Sequence, residues 1–111
     1  MITTHVLDAS IGQPAAGVAV TLERRVGAAW KSVGAGSTDA DGRVRALPAG
    51  DGSLAPGHYR ITFATGAYFA GRGVVSFYPE VAVVFDVRDA SQHYHVPLLL
   101  SPFGYSTYRG T

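Results

Sequence analysis

A chain of 111 residues without cysteine has room for about one domain with one modest core. It has no disulfides and no thiolate metal ligands, so its stability must come from packing or from association between copies. Nine Lys and Arg against eight Asp and Glu give a net charge of +1 without a basic cluster, which argues against nucleic acid as a partner.

Short runs of β-branched and aromatic residues, separated by Gly and Pro clusters, predict strands and turns in the N-terminal half. The predicted strands cover residues 3–8, 17–23, 30–34 and 43–46. The loop SIGQPAAG follows the first strand, and Gly12 and Pro14 are expected to stop pairing there. The motif TDADGR predicts a turn, because Asp39 and Asp41 can bond nearby backbone and Gly42 accepts positive φ. The pattern is typical of a β-sandwich.

The second half continues the same pattern with one exception. Residues 47–57 are predicted to be loop, and strands are predicted over residues 58–64, 80–87, 94–100 and 104–109. The segment TGAYFAG, residues 65–71, is the one place where a short helix is expected. The sequence has no apolar run of membrane-spanning length and no secretory or peroxisomal signal, which favours a cytoplasmic protein.

Two strands carry histidines on a face that the core does not use. Alternation gives the strand at 94–100 a core stripe, which consists of Tyr94, Val96, Leu98 and Leu100. The opposite stripe consists of His93, His95, Pro97 and Leu99. The first strand repeats this arrangement, with His5 and Leu7 opposite Val6. Because these outward faces are still partly apolar, we expect them to meet another subunit.

The histidines and arginines also have structural interpretations. His58 is assigned no role, and His93 is expected either at the rim of any site or as a group that supports a catalytic residue, rather than as a catalyst. His93 and His95 together with His5 could in principle ligate zinc, since three imidazoles suffice for a catalytic site. Nothing else in the sequence resembles a zinc ligand. Arg45 is predicted to be a solvated arginine on the other side of its short strand from Arg43.

Four motifs resemble one family along nearly the whole chain. HYHVPLLLSPFGYSTYRGT is similar to the terminal signature of the 5-hydroxyisourate hydrolases, which are transthyretin-like proteins. THVLDASIGQPA resembles the N-terminal signature of that family, TDADGR its middle motif and FYPEVAVVFDV its penultimate β segment. One departure is Thr111, where the family usually ends in Ser and this chain retains a hydroxyl.

The resemblance implies an all-β fold and a reaction. Residues 1–111 would form a single transthyretin-like domain, a sandwich of two four-stranded sheets with one short helix. Four copies would assemble as a dimer of dimers, with the site in the cleft between dimers. The reaction would be the hydrolytic opening of 5-hydroxyisourate to a carboxylated ureidoimidazoline, on the route from urate to allantoin. No metal and no organic cofactor is implied.

The resemblance also transfers residues to the site. The catalytic positions are His5, Arg43 and His95. The substrate-binding positions are Leu99, Ser106, Tyr108, Arg109, Gly110 and Thr111. Two imidazoles can divide the proton transfers of a hydrolysis, and a guanidinium can hold the oxygens of a planar substrate and stabilise an oxyanion. Which histidine is the base stays open. Without cysteine or a Gly-x-Ser-x-Gly motif, direct attack by water is favoured over a covalent intermediate.

The competing hypothesis is a transthyretin-type carrier, which shares the fold and binds a small molecule without chemistry. Fold alone does not separate the two functions. As the resemblance implies, carriers have lysine, glutamate and threonine at the positions of His5, Arg43 and His95, and they lack the YRGT ending. These residues favour the enzyme.

Overall fold

Within residues 1–47 and 54–111, which are those that the computed structural model describes, the chain forms nine strands and one helix. The elements are β1 (Ile2–Asp8), β2 (Gln13–Pro14), β3 (Ala19–Val26), β4 (Ala29–Ser37), β5 (Arg43–Leu47), β6 (Gly57–Phe63), α1 (Thr65–Gly71), β7 (Val81–Val87), β8 (Tyr94–Ser101) and β9 (Gly104–Thr107). In this part of the chain no helix is long and apolar enough to cross a lipid bilayer.

The strands form two sheets. In the first sheet the order is β2-β1-β8-β9, and β5 pairs beside β2 along the same edge of β1. In the second sheet the order is β4-β3-β6-β7. The β1 and β8 strands are parallel, whereas the other neighbours are antiparallel. The predicted sandwich with one short helix is confirmed, and the two-residue β2 adds a fifth strand to the first sheet.

The core lies between the sheets, where alternation predicted it. Tyr59, Ile61 and Phe63 of β6 are buried. The predicted core stripe of β8 is buried as well, at Tyr94, Val96, Leu98 and Leu100. The helix α1 has the predicted bounds and buries Phe69. The buried side chains of both sheets form one apolar cluster, so the opposite face of β8 is left to form a surface.

The main difference from the predicted elements lies after β1. Pro14 is the ladder partner of Leu7, so the prediction that Pro14 stops pairing was wrong, whereas Gly12 lies in the turn as predicted. Gly12 has a φ of 63°, which lets the chain fold back on β1, and Pro14 lies in an edge strand, where a missing N–H is tolerated. Most of the loop predicted over residues 47–57 lies outside the described residues.

A buried carboxylate ties the end of β1 to the helix. Asp8 accepts hydrogen bonds from the N–H and hydroxyl of Ser10 and, at 2.8 Å, from the hydroxyl of Tyr68. Burial raises the pKa of Tyr68 from 10.0 to about 12, and the bond to Asp8 adds to that shift. Because the pKa is raised in the folded protein, this stabilisation is present below the ordinary pKa of tyrosine and is lost as the pH rises toward 12.

Tyr68→Phe is therefore expected to lower the free energy of unfolding by about 1 kcal/mol at neutral pH, the typical net contribution of one hydrogen bond. Asp8 keeps its two donors from Ser10, which limits the loss. Urea denaturation measures the difference. Tyr105→Phe, at an exposed ring, is the control. Equal stability of the two variants would show that the Asp8 contact contributes nothing.

Candidate active site

The TDADGR turn is shaped by its own first carboxylate. Asp39 accepts, at one carboxylate oxygen, hydrogen bonds from the N–H groups of Asp41 and Arg43, both at 2.9 Å. The bond from the Arg43 N–H is the main reason that the pKa of Asp39 is lowered. Gly42 has a φ of 77°, which favours glycine there. The predicted turn is confirmed, and it directs the chain into β5.

The same turn fixes Arg43 beside His5. The N–H of Val6 donates to the carbonyl of Gly42 at 2.7 Å, and a side chain on Gly42 would collide with the carbonyl of Val6. The His5 imidazole donates from Nε2 to the carbonyl oxygen of Asp41 at 2.8 Å. His5 and Arg43 are ladder partners of β1 and β5. Two predicted catalytic residues therefore lie side by side on the outward face.

The third predicted catalytic residue lies on the neighbouring strand. His95 of β8 is the ladder partner of Thr3, two residues before His5 on the same face of β1. The Nδ1 atom of His95 lies 2.7 Å from the hydroxyl oxygen of Thr3. Because Nδ1 has this partner, Nε2 is the ring nitrogen left for a substrate.

A cleft of about 250 Å³ opens on this face. Its lining consists of Met1, Thr3, Thr4, Arg43, Val44, Arg45, His93, His95 and Thr111. His5 lies at its edge, beside Arg43, rather than in the lining. Arg43 and His95 therefore line the same cleft, and His5 lies next to it as the ladder partner of Arg43.

The surroundings of His95 favour its neutral form. Burial lowers the pKa of His95 first, and the positive charges of Arg43, His93 and His5 lower it further. A hydrogen bond to the backbone of Thr3 acts in the opposite direction. At neutral pH the imidazole is therefore in the state that can accept a proton.

The C-terminal segment reaches the cleft only in part. The N–H of Gly110 donates to the carbonyl of His95 at 2.8 Å, and Thr111 lines the cleft. Tyr108 and Arg109 instead line a second, largely apolar groove of about 270 Å³. There the Arg109 guanidinium lies 4.6 Å above the ring of Tyr94. Tyr108 and Arg109 therefore approach the histidines only from the side of this second groove, which His95 also lines, and Arg109 donates to the carbonyl of His93 at 3.4 Å.

Two other predicted contacts lie farther along the sheet. Leu99 and Ser106 are ladder partners of β8 and β9. Leu99 follows His95 by four positions on the same face, which is roughly 13 Å at the rise of a strand. Within one chain they are separate from the cleft that holds His95.

Close packing against the His95 ring explains the glycine at position 110. A Cβ atom there would lie 2.5 Å from Cδ2 of His95 and 3.1 Å from Cγ of Pro97. Gly110→Ala is expected to turn the imidazole and to lower turnover by roughly a hundredfold, the loss typical of a misplacement of about 1 Å. Steady-state kinetics would measure the loss, and sedimentation velocity would show whether the assembly state matches that of the wild type.

Gly104→Ala is the matched control for this substitution. Its Cβ would meet only the hydroxyl of Ser101, at 3.7 Å. Full activity of Gly110→Ala, or equal losses in the two variants, would contradict a close fit between the tail and His95.

Sequence reasoning missed one cleft residue and misplaced another. Thr3 was not singled out. His93, expected at the rim or behind the catalytic groups, is exposed, lines the cleft and lies 2.8 Å from the Thr3 hydroxyl. The prediction that Arg45 lies on the other side from Arg43 was wrong, because residues two apart on a strand share a face. Arg45 lines the same cleft and pairs with Asp39 and Asp41 at 3.6 and 3.4 Å. Strand alternation could have found both Thr3 and Arg45.

A second correction concerns Pro97, which we expected on an outward apolar face. Pro97 is buried within one chain, because the C-terminal segment around Gly110 folds over it. Leu99 of the same stripe stays 37% exposed, and Leu7 is half-buried. The apolar surface that this face exposes in one chain is therefore smaller than predicted.

No set of zinc ligands is found in the described ranges 1–47 and 54–111. No group of three or more His, Cys, Asp or Glu side chains there could hold a metal ion. Nε2 of His93 and Nδ1 of His95 both lie within hydrogen-bond distance of the Thr3 hydroxyl, which stands between them.

Comparisons with known proteins agree along the whole chain. A model of the HIUase/Transthyretin family matches residues 2–110. The 5-hydroxyisourate hydrolase of Caulobacter vibrioides is 50% identical over 114 residues, covering 99% of this chain and 97% of the relative. The solved Klebsiella pneumoniae 5-hydroxyisourate hydrolase has a TM-score of 0.86 at 37% identity and covers 99% and 98% of the two chains. Sea bream transthyretin in complex with thyroxine has a TM-score of 0.91 at 33% identity, with 99% and 94% covered.

Proposed function

The chain belongs to the HIUase/transthyretin family, and we propose that it is a hydrolase that opens the ring of 5-hydroxyisourate. The observation that carries the proposal is the outward face of the first sheet, on which β1, β5 and β8 bring His5, Arg43 and His95 together. The hydrolases among the relatives match this chain from end to end. The substrate is a small molecule, and the product is the carboxylated ureidoimidazoline on the route to allantoin.

The two imidazoles divide the proton transfers. One accepts a proton from water as the water oxygen bonds to a ring carbonyl carbon, and the carbon–nitrogen bond then breaks as the ring nitrogen takes a proton. His95 is held neutral and offers Nε2 for this work. His5 donates from Nε2 to a carbonyl, so its neutral form has an unprotonated Nδ1. Both side chains can therefore accept a proton.

Arg43 supplies charge and geometry. Its guanidinium is permanently positive and can donate two parallel hydrogen bonds to oxygens of a flat substrate. It lines the cleft beside the histidines, where it can stabilise the oxyanion that forms as water attacks. We propose Leu99, Ser106, Tyr108, Arg109, Gly110 and Thr111 as the substrate-binding residues, with no metal and no organic cofactor.

The alternative is a carrier like sea bream transthyretin, which was solved in complex with thyroxine and shares the fold. The side chains of the site favour hydrolysis over carriage. A carrier has no need for two histidines and an arginine on one polar cleft, whereas proton transfer and oxyanion stabilisation do need them. A cytoplasmic location stays a prediction from the sequence.

We further propose a homotetramer, a dimer of dimers with the site in the cleft between dimers. Three features support this assembly. The strands β9 and β7 end their sheets with open edges, and Leu99 is partly exposed on the face that carries the histidines. Tyr108 and Arg109 do not line the cleft that Arg43 and His95 line in the same chain. Neighbouring copies would complete a site that one chain leaves incomplete.

Sedimentation velocity at micromolar concentration tests the assembly. The expected species has about four times the 11.6 kDa mass of one chain, because closed two-fold contacts are the common solution for identical subunits. A stable monomer that still turns over substrate would contradict both the tetramer and the shared site.

The function is tested by ultraviolet absorbance of freshly generated 5-hydroxyisourate, with and without the protein and after exhaustive chelation. We expect faster decay that chelation leaves unchanged. Loss of activity in chelator with recovery on zinc addition would overturn the metal-free mechanism, and decay at the uncatalysed rate would overturn the function.

A further inference from the structure

The hydroxyl of Thr3 lies between two histidines, His95 of β8 and His93, which comes one residue before that strand. Its oxygen is 2.8 Å from Nε2 of His93 and 2.7 Å from Nδ1 of His95. Thr3 is buried, whereas His93 is exposed and His95 is half-buried. Parallel pairing of β1 and β8 produces this arrangement, because it makes Thr3 the ladder partner of His95. One buried side chain therefore links an exposed imidazole to the imidazole of the cleft.

A hydroxyl carries one hydrogen, so it can donate to only one of these nitrogens. If Thr3 donates to Nδ1 of His95, it must accept from an Nε2–H of His93. If it donates to Nε2 of His93 instead, it must accept from an Nδ1–H of His95. With both imidazoles neutral, the first arrangement makes Nε2 of His95 a proton donor, and the second makes it an acceptor. The tautomers of the two histidines are therefore coupled.

We propose that Thr3 is a positioning residue that joins His93 and His95 into one proton-sharing unit, of which His95 is the member facing the substrate. The inference adds two residues to the site and rests on the proposed function for its role in hydrolysis. Its physical part, the coupling of the two rings, concerns the protein without substrate.

The unit can restore a proton to His95 through Thr3 and His93. When Nε2–H of His95 gives its proton to the leaving ring nitrogen, the Thr3 hydroxyl passes its hydrogen to Nδ1 of His95. At the same time Thr3 takes the hydrogen from Nε2 of His93. His95 then carries its proton on Nδ1. His93, at the protein surface, takes a solvent proton on Nδ1 as it gives up the one on Nε2, so it stays neutral. One proton leaves the unit and one enters it, with no change in oxidation state.

The charges around His95 come from every neighbouring segment. They are His5 on β1, Asp39 and Asp41 in the turn, Arg43 and Arg45 on β5, His93 just before β8 and Arg109 in the tail. Asp39 and Asp41 both pair with Arg45, and the charges that act on His95 are those of Arg43, His93 and His5. Burial and these positive charges lower the pKa of His95, and a hydrogen bond to the backbone of Thr3 raises it. Neutralising His93 should therefore raise that pKa, whereas Thr3→Val keeps the backbone contact.

Thr3→Val is the decisive substitution, because it keeps the shape of the side chain and removes the hydroxyl. We expect kcat to fall by roughly 10- to 100-fold, as for other groups that orient a functional imidazole, with KM little changed. Thr3→Ser keeps the hydroxyl and should retain most of the wild-type kcat. In the pH profile of kcat/KM, the acid limb should move to higher pH in His93→Asn, which removes a positive charge beside His95.

A double-mutant cycle separates coupling from two independent effects. Thr3→Val with His93→Asn should be no slower than Thr3→Val alone, because the hydroxyl is needed for His93 to act. Additive losses would overturn the inference.

Nitrogen-15 NMR of the imidazoles, recorded without substrate, tests the coupling apart from activity. The wild-type protein and Thr3→Ser should show fixed, complementary tautomers of His93 and His95, and Thr3→Val should release both rings to the mixture typical of exposed histidine. Unchanged tautomers in Thr3→Val would overturn the inference. Coupled tautomers in a wild-type protein without turnover would overturn the proposed function alone.

Discussion

Replacing His95 with Gln is expected to lower kcat/KM for 5-hydroxyisourate by about two to four orders of magnitude, the usual range for a general acid or base. The same range is expected for His5→Gln, because the wild-type His5 imidazole lies beside Arg43 and is held there by the carbonyl of Asp41. Both side chains lie on the outward face of the first sheet, so neither substitution leaves a large cavity in the core. Circular dichroism and assembly should match the wild type.

His58→Gln is the matched control, since His58 is exposed on β6 of the second sheet. The wild-type pH profile provides an independent check. Because the pKa of His95 is lowered, activity should persist below the ordinary histidine pKa of 6.5 and fall only as the pH drops further. Near-normal rates in both His5 and His95 variants, with assembly intact, would defeat the site assignment.

Arg43→Lys is expected to cost about a hundredfold in kcat, near the lower end of the range for loss of one oxyanion donor. Lysine keeps the positive charge but lacks the planar pair of donors, so the loss measures geometry rather than charge. The backbone of Arg43 is fixed by Asp39 whichever side chain follows, so the turn should survive. Steady-state kinetics on the folded variant would show a lower kcat.

The control for Arg43 must come from outside the cleft. Arg45→Lys is unsuitable, because Arg45 lines the same cleft. Arg25→Lys, exposed on β3 of the second sheet, meets the requirement and should leave kcat unchanged. Equal rates for Arg43→Lys and Arg25→Lys would mean that charge alone is needed at position 43.

Much of the fold follows from local patterns that the sequence displays. Alternation marks the core stripes of β6 and β8, and the TDADGR turn follows from the bonding capacity of Asp39 and the positive φ of Gly42. These features depend on residues close together in the chain. Local patterns were therefore enough to predict the sandwich and to identify the strand faces that carry the histidines.

What the sequence could not predict depends on distant pairing. Thr3 meets His95 only because β1 and β8 are parallel in one particular register, with 92 positions between the two residues. Pro97 is buried because the tail folds over it, so the apolar stripe was a poor guide to exposed surface. The position of Arg45 could have been predicted, because strand alternation alone places it on the same face as Arg43.

Counting turnovers separates an enzyme from a carrier most directly. The protein is mixed with a large excess of freshly generated 5-hydroxyisourate, and ultraviolet absorbance gives the moles of substrate opened per mole of chain beyond the uncatalysed decay. We predict many turnovers per chain, and a large loss of them in His95→Gln but not in His58→Gln. Decay that is unchanged, or slowed by at most one bound equivalent per chain, would contradict hydrolysis and favour carriage.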